Sequence, residues 1–244
     1  MASPAALGHL APTLQRLAVL LITVGASALI LASTTVLAQP QMQLPALPVP
    51  VAVNVDPDTT ALLSLDFVEN TCPRFERCME GVPAAAAMLA RARASGVLIV
   101  HTGSSAQLPE VAPIDGVPGD RANRNPDRPG RQPGRSEEIV IPGNGPDKFV
   151  ETTLESTLRR RGIDTLVIDG FAANRAVMYT AMAATMRGYT VVVPVDASPG
   201  IAAGFDELVA WYQLLTQTGR TNASNTPLAP EAVTLSRSDL ITFE

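Results

Sequence analysis

The sequence predicts an α/β protein with a doubly wound, Rossmann-like parallel sheet of about six strands in a three-layer α/β/α arrangement. The first observation is the segment 164–198, which contains a β-branched apolar run, an apolar helix at 176–186 and a second apolar run at 190–195. Continuous apolar runs are typical of strands that are buried on both faces. The second observation is that strand and helix patterns also alternate in the rest of the chain, which favours a parallel sheet with right-handed crossovers.

The other elements follow from local patterns. Apolar strands are predicted at 61–66, 97–102 and 232–235, with a shorter one at 139–141. Helices are predicted at 82–95, 150–161 and 205–218, where apolar residues recur at helical spacing or alanine dominates. About 200 residues suit one domain with a sizeable core, and we expect residues 59–244 to form it.

The first 38 residues have the pattern of an export signal. Arg16 precedes an apolar run that continues to about Ala38, and residues 36–38 have the small side chains of a signal-peptidase site. We therefore expect residues 1–38 to be a cleaved signal peptide, residues 39–58 to be a proline-rich linker, and the protein to be periplasmic or secreted. The apolar run is also nearly long enough to span a membrane, so the alternative is an uncleaved anchor at 17–38.

The charge of the chain bears on its partners. Without the signal segment it has 17 Lys and Arg (18 minus Arg16) against 23 Asp and Glu, which gives a net charge of −6. The sequence contains no basic face and no basic residues interleaved with aromatic ones, so we expect no nucleic-acid partner. We expect a small-molecule substrate, and contact with a membrane only through an uncleaved N-terminal segment.

Asp66 and Lys148 are the candidate catalytic residues. Asp66 ends the first predicted strand, and ligands of open α/β sheets lie at the carboxyl ends of the strands. An unpaired buried carboxylate costs several kcal/mol, so Asp66 either caps a neighbouring loop or lines a polar crevice. Lys148 is the only lysine, against seventeen arginines. This usage indicates a position that needs a compact ammonium whose pKa can shift, although chance retention of one lysine is the alternative.

The chain has two cysteines, Cys72 and Cys78. In an exported chain their close spacing predicts a local disulfide. The alternative is that Cys72, six residues after Asp66, is a nucleophile, which would require a depressed thiol pKa and a base within reach.

Two further features predict little chemistry. His101 is the only histidine outside the signal segment, and a lone histidine at a strand end is usually a hydrogen-bonded structural residue. Without a Cys/His cluster we expect no metal, and nothing in the sequence indicates a cofactor. The segment 104–147, rich in Pro, Gly and Arg, is either a solvated surface loop or a lid or partner contact.

Three blocks of sequence resemble the isochorismatase-like (cysteine hydrolase) superfamily. They are TALLSLDFVENTC at 60–72, KFVETTLESTLRRRGIDTLVIDGFAANRAVMYTA at 148–181 and RGYTVVVPVDAS at 187–198. The resemblance implies that Asp66 is a general acid/base, that a lysine assists it, and that a nucleophilic cysteine begins the helix of the second block. This sequence has Ala176 at the cysteine position. Most relatives also place the lysine several residues before the Phe that matches Phe149, whereas Lys148 is adjacent to it.

Alanine cannot form a covalent thioester, so the resemblance implies hydrolysis by Asp66 and Lys148 acid–base chemistry without a thiol nucleophile. The alternative is a catalytically silent binding or structural module. Family members commonly form oligomers, which implies a homo-oligomer. The candidate substrate contacts lie just before the cysteine position and are Phe171, Ala172, Asn174 and Arg175. Asn174 is also the expected helix N-cap. Arg175 either binds a substrate carboxylate or points to solvent, as a first-turn arginine more commonly does.

Overall fold

The computed structural model describes residues 46–114, 137–143, 145–216 and 219–244. The predicted signal peptide at 1–38, residues 39–45 of the predicted linker and residues 115–136 of the long segment therefore lie outside the described residues.

Within the described ranges the chain forms strands and helices in the alternating order that the sequence predicts. The strands are β1 Val53–Val55, β2 Thr60–Leu65, β3 Leu98–Gly103, β4 Glu138–Pro142, β5 Thr165–Gly170, β6 Thr190–Pro194, β7 Val233–Ser236 and β8 Ile241–Phe243. The α-helices are α1 Glu76–Ala94, α2 Leu154–Arg160, α3 Met178–Thr185 and α4 Phe205–Thr216.

Six of the strands form one sheet in the order β4-β3-β2-β5-β6-β7, and every pairing in it is parallel. This confirms the predicted doubly wound sheet of about six strands. The short strands β1 and β8 pair in parallel beside it, and β1 lies within the range predicted as a linker. Because β2 is central, the chain that leaves its carboxyl end is flanked by the ends of β3 and β5.

Apolar side chains cover both faces of the sheet. Alternate residues of β2 point to opposite faces, so Leu63 and Leu65 join one core cluster and Leu62 joins the other. Helices α2, α3 and α4 contribute to the first cluster, and α1 with β1 and β8 contributes to the second. These two helical layers complete the predicted three-layer arrangement. In the described residues, no helix is both long and apolar enough to cross a membrane.

Several predicted boundaries are wrong, for identifiable reasons. Helix α1 begins at Glu76 rather than 82 and carries Pro83 in its interior, and its first turn contains Cys78, which the disulfide ties to Cys72. Helix α2 begins at Leu154 rather than 150, since Glu151 has a positive φ of 56° that a right-handed helix cannot include. Helix α3 begins at Met178 rather than 176, after a π-helical turn at Ala173–Val177.

The prediction that Asn174 caps α3 is also wrong. Asn174 lies inside the π-helical turn, which begins after Ala172 and has no side-chain cap. Arg175, with φ −128° and ψ −106°, interrupts the helical backbone there. A local N-cap rule assumes a regular first turn, and this turn is irregular.

Candidate active site

Asp66 lies where three strand ends meet. It directly follows β2, and its own N–H donates to the Thr102 carbonyl of β3 at 3.0 Å. On the other side the N–H of Phe171, the residue after β5, donates to the Leu65 carbonyl at 3.0 Å. Asp66 has a φ of 58°, so the chain turns sharply there. The backbone thus holds the carboxylate at the carboxyl edge of the sheet, where parallel α/β folds bind ligands.

Lys148 pairs with this carboxylate. Its Nζ donates to Oδ1 of Asp66 at 2.9 Å and to Oδ2 at 2.7 Å, and it lies 3.5 Å from the Gly143 carbonyl. The side chain of Lys148 is 2% exposed, whereas that of Asp66 is 24% exposed. The ammonium is therefore buried behind the carboxylate, and the carboxylate keeps a side that solvent or a substrate can reach.

The backbone around Lys148 is anchored to α3. The N–H of Lys148 donates to the Thr180 hydroxyl at 3.1 Å, and that hydroxyl donates to the Pro146 carbonyl at 3.2 Å. The first turn of α3, which directly follows the π-helical turn that contains Ala176, is therefore held against the segment that supplies Lys148.

Aromatic packing fixes the neighbouring residue. The ring of Phe149 stacks on that of Tyr189, with the ring centroids 6.0 Å apart. The guanidinium of Arg187 covers the Phe149 ring at 4.6 Å, and that of Arg159 covers Tyr189 at 4.4 Å. A buried Phe149 next to Lys148 in sequence directs the lysine toward the sheet edge. Adjacency to this phenylalanine, a departure from most relatives, thus does not prevent contact with Asp66.

The surroundings of Asp66 shift the pKa of its carboxyl group. Burial raises the pKa of the Asp66 carboxyl above its ordinary value, while the charge and hydrogen bonds of Lys148 act in the opposite direction. A carboxylate with a raised pKa is a stronger base and, once protonated, an acid that operates closer to neutral pH. The pair therefore has the properties of a proton-transfer site.

The loop before α3 supplies the other predicted contacts. Phe171 and Ala172 are buried, and the peptide bond between them is cis. The Asn174 side-chain oxygen is buried without a hydrogen-bond partner among the described residues. Arg175 is exposed, and Ala176 is 2% exposed. Phe171 packs on Phe75 with the ring centroids 5.3 Å apart, so its side chain belongs to the core and offers a substrate only its backbone.

Cys72 and Cys78 form the predicted disulfide, and both are fully buried. The disulfide closes a turn around Phe75, the residue that packs on Phe171. The alternative interpretation of Cys72 as a nucleophile is wrong for this form of the protein, because its sulfur is bonded and inaccessible.

His101 is a structural residue. It is fully buried, and its Nε2 lies 3.0 Å from Oε2 of Glu138. The Glu138 carboxylate also accepts two hydrogen bonds from Arg93, one at Oε1 at 2.8 Å and one at Oε2 at 3.0 Å. Although burial alone would raise the pKa of Glu138, the hydrogen bonds from His101 and Arg93 lower it to about 2. Among the described residues, no group of three or more His, Cys, Asp or Glu is arranged to hold a metal ion.

Two residues that support the site escaped sequence reasoning. Thr180 anchors Lys148 across 32 positions of sequence, and no local pattern signals such a contact. Gly170 has a φ of 140°, and a Cβ there would lie 2.2 Å from the Leu65 carbonyl oxygen. Glycine is therefore required where β5 meets the Asp66 turn. A glycine directly after a β-branched run was the only signal for it.

Fold and site together define a doubly wound α/β protein with a carboxylate–ammonium pair at the carboxyl edge of its sheet. The isochorismatase domain model matches residues 60–215, a range that includes Asp66, Lys148 and Ala176. The chain belongs to the isochorismatase family.

Individual relatives agree with this assignment. The uncharacterized isochorismatase family protein YecD of Escherichia coli O157:H7 is 33% identical over 156 residues, which cover 59% of this chain and 82% of that protein. Maleamate amidohydrolase of Pseudomonas putida is 31% identical over 151 residues, 54% of this chain and 68% of that protein. The crystal structure of N-carbamoylsarcosine amidase from Thermoplasma acidophilum has the same fold, with a TM-score of 0.53 at 22% identity over 74% of this chain and 97% of that one. The protein is an isochorismatase-family hydrolase.

Proposed function

We propose that the protein hydrolyses a small molecule by acid–base chemistry of Asp66 and Lys148, without a covalent thiol intermediate. The observation that carries this proposal is the bidentate contact of a buried Lys148 with a partly accessible Asp66, at 2.7 and 2.9 Å. A buried ion pair without function is weak evidence for stability, because desolvation offsets the attraction between the charges. Its position at the carboxyl edge of the sheet favours a catalytic role.

The proposed reaction needs only water as a second reactant. The Asp66 carboxylate removes a proton from a water molecule while the water oxygen bonds to the electrophilic carbon of the substrate. The bond from that carbon to the leaving atom then breaks, and the protonated Asp66 returns the proton to the leaving atom. The Lys148 ammonium keeps the carboxylate oriented and stabilises its charged form. The methyl group of Ala176 is smaller than a thiol-bearing side chain, which leaves space for the water.

Arg175 supports a substrate with an anionic group. It is exposed, it directly precedes Ala176, and no contact engages its guanidinium within the described ranges. Guanidinium groups bind carboxylates through paired hydrogen bonds. The relative named maleamate amidohydrolase is consistent with a small amide substrate. We therefore propose a small carboxylate that carries an amide or carbamoyl bond.

The test is a hydrolase screen across these bond types with the wild-type protein and three variants. Asp66→Asn keeps the shape but removes the titratable proton, so turnover should fall by about 10²–10⁴-fold. Lys148→Met and Lys148→Arg should each lose activity, since one removes the charge and the other changes its geometry. Alkylation with iodoacetamide should leave turnover unchanged.

Asp164→Asn is the matched control, because this exposed aspartate lies before the other end of β5 and its carboxylate accepts a hydrogen bond from the neighbouring Thr165 hydroxyl. It should retain full turnover. Full activity in both Asp66→Asn and Lys148→Met would show that this pair is not the catalytic site.

The second candidate function is a catalytically silent binding module, which the alanine at position 176 favours. It predicts that no bond type is hydrolysed, while a small carboxylate still binds and raises the melting temperature. In that case Arg175→Ala should abolish the shift in melting temperature, and neither the wild type nor Asp66→Asn should show hydrolysis.

We also propose that the protein acts after export. The buried disulfide supports this, because disulfides persist in oxidising compartments such as the periplasm. Amino-terminal sequencing of the protein recovered from its host would locate any cleavage near residue 38, whereas an intact amino terminus in a membrane fraction would favour an anchor.

A further inference from the structure

Gln107 is a buried polar residue close to Asp66 and outside the Asp66–Lys148 pair. It lies in the loop that follows β3, and it is 8% exposed. Its amide oxygen is buried and has no hydrogen-bond partner among the residues that the structure describes. Buried acceptors without a partner are uncommon in folded proteins, and one beside a reactive group indicates a bound water or a catalytic role.

The backbone fixes the position of Gln107 relative to the Asp66 turn. Val68 and Gln107 form an isolated antiparallel bridge between the loop after β2 and the loop after β3. The N–H groups of Glu69 and Leu108 each donate across this bridge at 2.9 Å. The loop that contains Gln107 is therefore held against the chain that directly follows Asp66.

The side chain of Gln107 is also held at one end. Its Nε2 donates to the Thr102 carbonyl at 3.2 Å, and the same carbonyl accepts the N–H of Asp66 at 3.0 Å. Since a carboxamide is planar and its nitrogen is anchored, the position of its oxygen is fixed as well. Gln107 and the Asp66 turn thus share one anchoring carbonyl at the end of β3.

Gly103 allows the amide and the carboxylate to approach each other. A Cβ at this position would lie 3.3 Å from Nε2 of Gln107, 3.7 Å from Oδ1 of Asp66 and 2.4 Å from a methyl group of Val68. A side chain there would collide with Val68 and crowd both polar groups. The amide and the carboxylate therefore line the same small space, and the carboxylate is the group that remains 24% exposed to a substrate.

We propose that Gln107 orients the water that attacks the substrate, with its amide oxygen accepting a hydrogen bond from one O–H of the water while Asp66 accepts the other. This inference rests on the proposed function and adds a positioning residue to it. A water whose two protons are both engaged directs its lone pairs away from them, toward the substrate carbon. Asp66 then takes one proton as the water oxygen bonds to that carbon, and it returns the proton to the leaving atom. Gln107 keeps its hydrogen bond and neither gains nor loses a proton.

The chemistry of glutamine suits this role. A carboxamide oxygen accepts a hydrogen bond without titrating, so Gln107 does not compete with Asp66 for the proton. Ala176 supplies no thiol, so in the proposed reaction water is the nucleophile of the bond-forming step. The orientation of that water then directly affects the rate.

The experiment compares hydrolysis with capture by hydroxylamine, for the wild type and Gln107→Met, on the best substrate from the hydrolase screen. The hydroxylamine nitrogen bonds to the same carbon, the leaving atom departs with a proton, and an N-hydroxyamide forms in place of the acid. Gln107→Met keeps the length of the side chain and removes the acceptor, so kcat for hydrolysis should fall by about 10–100-fold with KM little changed. Hydroxylamine is a stronger nucleophile than water and depends less on assistance, so the ratio of N-hydroxyamide to acid should rise by about 5-fold or more.

Two further variants complete the test. Gln213→Met is the matched control, because it makes the same change at a half-buried glutamine of α4, and it should leave kcat, KM and the product ratio unchanged. Gln107→Glu protects the test against misfolding, because it keeps the shape and an acceptor oxygen. Its product ratio should lie closer to that of the wild type than the ratio of Gln107→Met does.

The outcomes separate this inference from the proposed function. An unchanged kcat in Gln107→Met would overturn the inference, and so would an equal fall in hydrolysis and in capture by hydroxylamine, which would show a purely structural role. If Asp66→Asn loses turnover in the same assay while Gln107→Met does not, the proposed function stands and only this inference fails. If the wild type has no turnover, or Asp66→Asn keeps full turnover, the proposed function fails and the inference fails with it.

Discussion

We predict that Asp169 makes the stability of the folded protein decrease as the pH rises. This residue of β5 is fully buried, and its Oδ1 has no hydrogen-bond partner among the described residues. Burial, with a smaller contribution from the nearby charge of Asp196, raises the pKa of Asp169 to about 8, although hydrogen bonds from Ser64 and from its own backbone oppose the rise. Asp169 is thus mostly a neutral acid in the folded protein at neutral pH, whereas in the unfolded chain it is ionised.

The sign and size of the effect follow from this difference. The pKa in the folded state, about 8, is above the unfolded value of about 3.9, so the stabilising contribution is fully present below pH 4 and is lost as the pH rises to 8. At about 1.4 kcal/mol per pH unit, the free energy of unfolding falls by about 4 kcal/mol between pH 4 and pH 7 through this group alone. Such a loss is a large fraction of the stability of an ordinary domain.

Asp169→Asn removes the titration while it keeps the shape and a hydrogen-bonding side chain. The variant should be similar in stability to the wild type near pH 4 and more stable by about 4 kcal/mol at pH 7. The assay is urea unfolding of both proteins at several pH values from 4 to 8.5, with the difference in unfolding free energy plotted against pH. The exposed Asp239→Asn is the control and should change stability by less than about 1 kcal/mol throughout. A flat difference for Asp169→Asn would refute the reasoning.

Two further predictions concern the structure around the site. Gly170→Ala should destabilise the fold by more than about 3 kcal/mol in urea unfolding, because its Cβ would lie 2.2 Å from the Leu65 carbonyl oxygen. Gly188→Ala, also at a positive φ but with nothing within 4 Å of the added Cβ, should cost only about 1 kcal/mol, and equal costs would contradict the steric argument. The paired change of Cys72 and Cys78 to Ala should cost about 2 kcal/mol for a loop this short, and two reactive thiols in the folded, unreduced wild type would contradict the disulfide.

The class of fold and most of its strands and helices could be predicted from the sequence alone. The six-stranded parallel sheet follows from continuous apolar runs, because a strand buried on both faces leaves no polar alternation. The disulfide also follows from sequence, since the chain has only two cysteines and they are six positions apart. Asp66 and Lys148 were identified as candidates from a strand end and from the composition, and these are the two residues that the structure brings into contact.

Long-range contacts and burial at the site could not be predicted from local sequence patterns and became visible only in the tertiary structure. The Asp66–Lys148 contact spans 82 positions of sequence and depends on Thr180, which holds the lysine segment against α3. The N-cap rule fails for Asn174 because the turn before α3 is π-helical and Arg175 departs from helical backbone angles there. The burial of Asp169 likewise escaped notice, since a carboxylate at the end of an apolar run is solvated or buried only according to what packs over it.

The apolar residues of α4 show the same division. Phe205 and Tyr212 fit an amphipathic pattern in the sequence, and nothing local distinguishes an apolar side chain that enters the core from one that faces outward. One side of the helix packs into the core on this side of the sheet through Trp211, Leu214 and Leu215, and the other side is exposed. A helix has only one face toward its own sheet, so the tertiary fold decides which of its apolar residues remain exposed.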